Sequence, residues 1–121
     1  MNNQLSRDRL AGVKEIVSQC DRCGACLPVC PLFGVKDIES SSARGKNNLA
    51  RALVEGGLEP GPALLDAMNF CLLCRTCVDN CPSKVKTDEA MMAVRQYITD
   101  KTGGPGIKYR ALGTMLKNRR L

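Results

Sequence analysis

Cys20-Asp21-Arg22-Cys23-Gly24-Ala25-Cys26-Leu27-Pro28-Val29-Cys30-Pro31 is a run of four cysteines closed by a proline. The same spacing returns 51 residues later as Cys71-Leu72-Leu73-Cys74-Arg75-Thr76-Cys77-Val78-Asp79-Asn80-Cys81-Pro82. Each run reads C-x2-C-x2-C-x3-C-P, and together they use all 8 cysteines of the 121-residue chain. Two copies make a pair of similar half-sites within one pseudo-symmetric unit.

Three cysteines within seven residues can wrap one corner of a 4Fe–4S cubane and leave backbone N–H groups free to face its sulfides. The fourth cysteine lies too far along to close the same cubane, and in two-cluster ferredoxins it ligates the other cluster. The following proline lacks an N–H and fixes φ, which turns the chain away. The spacing therefore predicts two 4Fe–4S clusters with crossed ligands. One takes Cys20, Cys23, Cys26 and Cys81; the other takes Cys71, Cys74, Cys77 and Cys30. Zinc ribbons separate their two cysteine pairs by about 15–20 residues, whereas each set here falls within 11 residues. Disulfides are expected of secreted chains, and the N-terminus shows no signal-peptide pattern.

Around the runs the apolar spacing is helical. Leu10, Val13 and Val17 share a face over 7–19, and Leu49, Ala50, Leu53 and Val54 share one over 43–55, ended by Gly56-Gly57. Pro62 opens a short helix to about Phe70 that buries Leu64, Leu65 and Met68. Ala90, Met91, Val94, Tyr97 and Ile98 define a helix over 88–101, with Thr87 as its N-cap, Asp88 and Glu89 in its first turn and Lys101 in its last. Gly103-Gly104-Pro105 breaks the chain before a final helix carrying Ala111, Leu112, Met115 and Leu116. Residues 37–42 read as a polar loop. No stretch alternates with period two, so the fold class is all-α. The expected division is a cluster domain over 1–104 and a basic C-terminal helix over 105–121 that serves for docking.

Only 4 aromatic residues are present. The clusters are expected to replace the missing core volume, so that apo-protein loses its fold. Within the runs, Arg22 and Arg75 are candidates to tune cluster potential, Gly24 to admit close backbone approach, and Phe33 and Phe70 to shield clusters from water. Met68, Met91 and Met92 read as core residues rather than ligands.

The formal charge of +6 is uneven. Residues 1–100 balance, and Lys101, Lys108, Arg110, Lys117, Arg119 and Arg120 supply the excess. Two clusters on thiolates add roughly −4, so nucleic-acid binding is not expected. The basic end suits an acidic partner or an anionic membrane surface. No segment approaches the roughly 18 apolar residues of a membrane span. A cytoplasmic protein is expected, at most peripheral on the cytosolic face of the membrane. The sequence has no histidine, no nucleophile–base set and no phosphate-binding glycine loop. Substrate chemistry is not expected in this chain.

From Cys20 to about Lys101 the chain resembles the iron–sulfur subunits of flavin-dependent 2-hydroxyacid dehydrogenases, of the glycolate oxidase and lactate dehydrogenase type. The resemblance rests on both cysteine runs and on Ala43-Arg44-Gly45-Lys46 with Leu49-Ala50-Arg51-Ala52-Leu53-Val54-Glu55-Gly56, similar to that family's Pro-Arg-Gly-Arg helix. Cys81-Pro82-Ser83-Lys84-Val85 and Arg95 match as well. Ala43 departs from the usual proline. Anaerobic glycerol-3-phosphate dehydrogenase and heterodisulfide reductase subunits share most of these features.

The resemblance implies an alpha-helical ferredoxin fold and a partner FAD-containing dehydrogenase subunit, with a further redox subunit or an electron-transfer flavoprotein downstream. The expected function is an electron relay between the FAD enzyme and that acceptor. A relay in a heterodisulfide-reductase-like complex and a free ferredoxin-like carrier are the alternatives. The family's cysteine-rich C-terminal repeats have no counterpart here, so the chain is either a shortened subunit or a piece of one, and the acceptor stays open.

Overall fold

The computed structural model describes residues 3–104 and 106–118. Pro105, Arg119 and Arg120, which the sequence reading placed in the basic C-terminal helix, lie outside the described residues. The elements are α1 (Asn3–Ser18), α2 (Pro31–Lys36), a 3-10 turn (Glu39–Ser41), α3 (Ala43–Val54), α4 (Pro62–Asn69), α5 (Thr76–Asp79), α6 (Thr87–Lys101) and α7 (Ile107–Lys117). No strand occurs among the described residues, so the all-α expectation holds.

Four helices share one core. Val13 and Val17 of α1, Ala50 and Leu53 of α3, Leu64 and Met68 of α4, and Ala90, Met91, Val94 and Ile98 of α6 are buried together. The spacing of these residues puts each set on one helix face. No aromatic residue is among these buried members; Ala50 and Ala90 are the small ones, beside valine, leucine, isoleucine and methionine. Arg9 adds an ion pair of 2.6 Å to Asp100 that ties α1 to the end of α6. The apolar core therefore does not depend on the cysteines alone, although Cys71 and Leu73 pack against its edge.

Several local expectations need correction. The 37–42 segment is not a free polar loop. Ser41 and Ser42 are buried, and Ser42 caps α3 by accepting the Gly45 N–H at 3.0 Å. Thr87 is not the N-cap of α6; that position belongs to Lys86, which makes no side-chain cap. The Thr87 hydroxyl instead accepts the Asn47 amide N–H at 3.0 Å, joining α6 to α3. Met92 is 50% exposed and is no core residue. Helices α2 and α5 were not foreseen; with 6 and 4 residues they are too short to show a period.

Gly45 explains how α3 meets the 3-10 turn. A Cβ at this position would overlap the backbone carbonyl of Glu39. Only glycine lets the first turn of α3 lie against the turn that precedes it. Helix α7 differs from the rest: every described residue from Gly106 to Asn118 is exposed, including Ile107, Tyr109, Leu112, Met115 and Leu116.

Candidate metal centre

Each cysteine run follows a helix and precedes one. Helix α1 leads into Cys20 and α4 into Cys71, while α2 follows Cys30 directly and α6 begins at Thr87, after Cys81. An arginine holds each entry. Arg51 donates to the carbonyls of Val17 and Cys20 at 2.6 and 3.3 Å. Arg95 donates to those of Met68 at 2.7 and 2.9 Å and of Cys71 at 2.7 Å. Val17 and Met68 lie in the last turns of α1 and α4, and Cys20 and Cys71 lie just beyond them; one guanidinium satisfies several such carbonyls at once. The repeat thus extends beyond the cysteines.

It extends to the backbone too. Arg22 and Leu73 have φ of 59° and 56°, and Gly24 and Arg75 have φ of 82° and 66°. These are the same positions of the two runs, on either side of the second cysteine. Left-handed residues here curl the loop so that its cysteines face one side. Gly24 is also crowded, since a Cβ would lie 2.9 Å from the Arg44 guanidinium. The side chains of Arg22 and Arg75 are exposed.

The eight cysteines ring two neighbouring cavities. The first is lined by Cys30, Cys71, Cys74 and Cys77, with Lys46 and Asp88 among its other walls. The second is lined by Cys20, Cys23, Cys26 and Cys81, with Arg44 and Asn47. They enclose about 450 and 390 Å³ of space between atoms, mouths included. Ala43, Cys77 and Thr87 line both, so the wall between the cavities is built from the starts of α3 and α6 and one cysteine. Both helix N-termini bring partial positive charge to the cavities. Among the described residues, no three Cys, Asp or Glu side chains close on a point suited to one metal ion. The thiols surround spaces instead.

Thiol electrostatics follow the same map. Burial pushes the Cys77 thiol up to about 11, helped by the nearby Cys71, Cys26 and Cys74 sulfurs and opposed by a hydrogen bond from Thr87. Cys77 therefore feels both runs. Burial also raises Cys26, against hydrogen bonds from the Arg44 and Cys26 backbone. Cys74 is lowered by the side-chain and then the backbone hydrogen bonds of Thr76. Crowded thiolates repel one another, and an electron-poor iron core relieves that repulsion. Cys30 lies 3.6 Å from the Ser41 carbonyl, and Cys81 accepts the Val85 N–H at 3.5 Å. The donor set, four cysteines around the first cavity and four plus the shared Cys77 around the second, with helix N-termini facing them, fits a thiolate-bound, net-anionic iron–sulfur group.

Sequence reasoning missed one residue. Lys46 is 2% exposed. Its ammonium donates to the Ser41 carbonyl at 2.6 Å and lies 5.7 Å from the Phe70 ring centroid. Lys36 covers the same ring at 4.0 Å. In the sequence Lys46 stands out only as part of the Ala43-Arg44-Gly45-Lys46 motif. Its place four residues after the Ser42 cap, on the α3 face that carries Asn47 and Ala50, was the available signal.

A family model for the 4Fe-4S dicluster domain matches residues 16–85. The chain belongs to that family. It contains an iron–sulfur domain of the 4Fe-4S type. The "Probable glycolate oxidase iron-sulfur subunit" of Bacillus subtilis (strain 168) is 38% identical over 80 residues, covering 65% of this chain and 18% of that protein. The glycolate oxidase iron-sulfur subunit of Escherichia coli (strain K12) is 27% identical over 110 residues, covering 87% and 27%. Lactate utilization protein B of Bacillus velezensis is 31% identical over 100 residues, covering 80% and 20%. The chain thus spans about a quarter or less of the length of these relatives. The expected likeness to glycolate- and lactate-type iron–sulfur subunits is found in both. No solved structure matches the chain, and among the described residues no helix is long and apolar enough to cross a membrane.

Proposed function

We propose that this dicluster domain binds two 4Fe–4S clusters with crossed ligands and relays electrons from an FAD-dependent 2-hydroxyacid dehydrogenase, of the glycolate or lactate type, to a downstream acceptor. One observation carries the cofactor reading. Each cavity is lined by the first three cysteines of one run and the fourth cysteine of the other, with Cys77 in the wall that the two share. Cys20, Cys23, Cys26 and Cys81 would hold one cluster, and Cys71, Cys74, Cys77 and Cys30 the other. When bound, such clusters supply reversible one-electron storage.

The chain's own residues do the rest. The left-handed residues at Arg22, Gly24, Leu73 and Arg75 turn three cysteines of each run toward one cavity. Arg51 and Arg95 fix the carbonyls of Cys20 and Cys71, and with them the first thiol of each run. The Cys77, Ala43 and Thr87 wall is shared, which places the two cavities side by side. The names of the relatives support the substrate class of the partner enzyme. Helix α7, with its exposed apolar residues and Lys108, Arg110 and Lys117, is assigned as the segment that docks on the FAD subunit.

Co-purification of the native chain from its host tests the relay. An FAD protein that oxidises a 2-hydroxy acid, reducing the bound clusters anaerobically, is the expected result. A disulfide-reducing partner, or a native chain with no redox partner, would count against it.

A further inference from the structure

We infer that Lys46 is the buried counter-ion of the cluster held by Cys30, Cys71, Cys74 and Cys77, and that it makes this cluster the more easily reduced of the two. The inference rests on the crossed-ligand reading above and goes beyond it by ranking the clusters.

A buried ammonium normally sits against a carboxylate. Lys46 does not. Its one hydrogen bond runs to a neutral carbonyl, that of Ser41, and among the described residues no carboxylate oxygen lies within ion-pair distance of it. It lines the cavity of the second run instead. The groups that offset its burial are the Cys71, Cys30 and Cys77 sulfurs, while Arg95 opposes them. The other charges on that cavity are the buried Asp88 carboxylate, whose Oδ1 has no hydrogen-bond partner among the described residues, and the exposed Arg75, which pairs with Asp88 at 3.6 Å, so Asp88 offsets part of the Lys46 field. The rest of the Lys46 charge is left for the contents of the cavity.

The other cavity has no equivalent. Its cations are Arg22, which is exposed, and Arg44, which is bidentate on Glu39 at 2.6 and 3.0 Å. Its carboxylate, Asp21, is exposed. Water screens exposed charges far better than it screens Lys46. Reduction adds one electron from an external donor and moves no proton, taking a cluster with its four thiolates from about −2 to about −3. A fixed, poorly screened cation stabilises the more negative state more. In the singly reduced protein the electron then resides mainly on the cluster beside Lys46.

The test is EPR-monitored reductive titration with dithionite of anaerobically purified wild type, Lys46→Gln and Lys46→Arg. Iron content and circular dichroism are checked on each. The signal of the second-run cluster is identified by its alteration in Cys74→Ser. In wild type that signal is expected to develop first. In Lys46→Gln its reduction equilibrium is expected to fall about tenfold, about 59 mV for a one-electron couple, with the other signal unmoved and Lys46→Arg close to wild type. Loss of iron in Lys46→Gln but not in Lys46→Arg would also show that the charge is needed. The inference is overturned if Lys46→Gln leaves both signals in place, if both shift equally, or if Lys46→Gln and Lys46→Arg lose iron alike. Wild type with about eight irons and an unshifted Lys46→Gln refutes this inference alone; wild type without iron refutes the cofactor reading beneath it.

Discussion

Ser83 donates a 2.6 Å hydrogen bond to the Asp21 carboxylate across 62 residues of sequence. Asp21 follows the first cysteine of the first run, and Ser83 follows the proline that closes the second. The bond therefore lies at the crossing point, where Cys81 is brought beside Cys20, Cys23 and Cys26. Both partners sit at the protein surface, so its contribution to stability is small. Its value is positional.

The crossing predicts an asymmetric response to cysteine loss. Cys30→Ser is expected to damage the cluster held by Cys71, Cys74 and Cys77, and Cys81→Ser the one held by Cys20, Cys23 and Cys26. Iron content and EPR of the anaerobically purified variants distinguish the two. If Cys30→Ser removed only the Cys20–Cys26 cluster, each run would be closing its own cubane.

Glycine substitutions should divide by contact. Gly45→Ala drives a Cβ into the Glu39 carbonyl and is expected to destabilise the holo-protein by about 1–3 kcal/mol or more. Gly12 lies inside α1 with nothing within 4 Å of an added Cβ. Gly12→Ala should stabilise by about 0.5–1 kcal/mol. Anaerobic chemical denaturation of the two variants measures both; equal effects would remove the close-contact argument.

The arginines that hold the cysteine entries should not tolerate lysine. Arg95→Lys keeps the charge but cannot span the Met68 and Cys71 carbonyls. A lost carbonyl partner in a partly buried site costs about 1–3 kcal/mol. The expected readouts are a lower melting temperature and faster loss of the second-run cluster in air, with Arg51→Lys affecting the first-run cluster instead.

Much of this was legible in the sequence, and the limits have physical reasons. The cysteine spacing and the 3.6-residue periods of α1, α3, α4 and α6 are local signals; α3, α4 and α6 lie within a residue of where the period put them, and α1 starts four residues earlier, at Asn3. Helices α2 and α5 are too short to carry a period. Ser41, Ser42 and Thr87 are polar residues buried by tertiary contacts, which no local pattern reveals. Arg22 and Arg75 stood out because they lie within the motifs, yet both are exposed. The buried cation is Lys46, hidden because lysine is read as a surface residue.

Acid should act on the 3-10 turn. The side-chain hydrogen bond to Arg44 lowers the Glu39 carboxyl below its usual value. A carboxyl lowered on folding contributes stability that is full above its unfolded pKa, about 4.3, and is lost as pH falls through the folded value. Glu39 is exposed, so the effect is small. Wild type is expected to exceed Glu39→Gln slightly in stability at pH 7, with the difference closing below about pH 4.3. A difference that persisted unchanged into acid would place the effect of Glu39 elsewhere.

The most direct test of the account is the iron and acid-labile sulfide content of the anaerobically purified chain, read with its visible absorption. The account predicts about eight irons and eight sulfides per chain and a broad brown absorption that bleaches on reduction. One zinc per four cysteines in a colourless protein would contradict it.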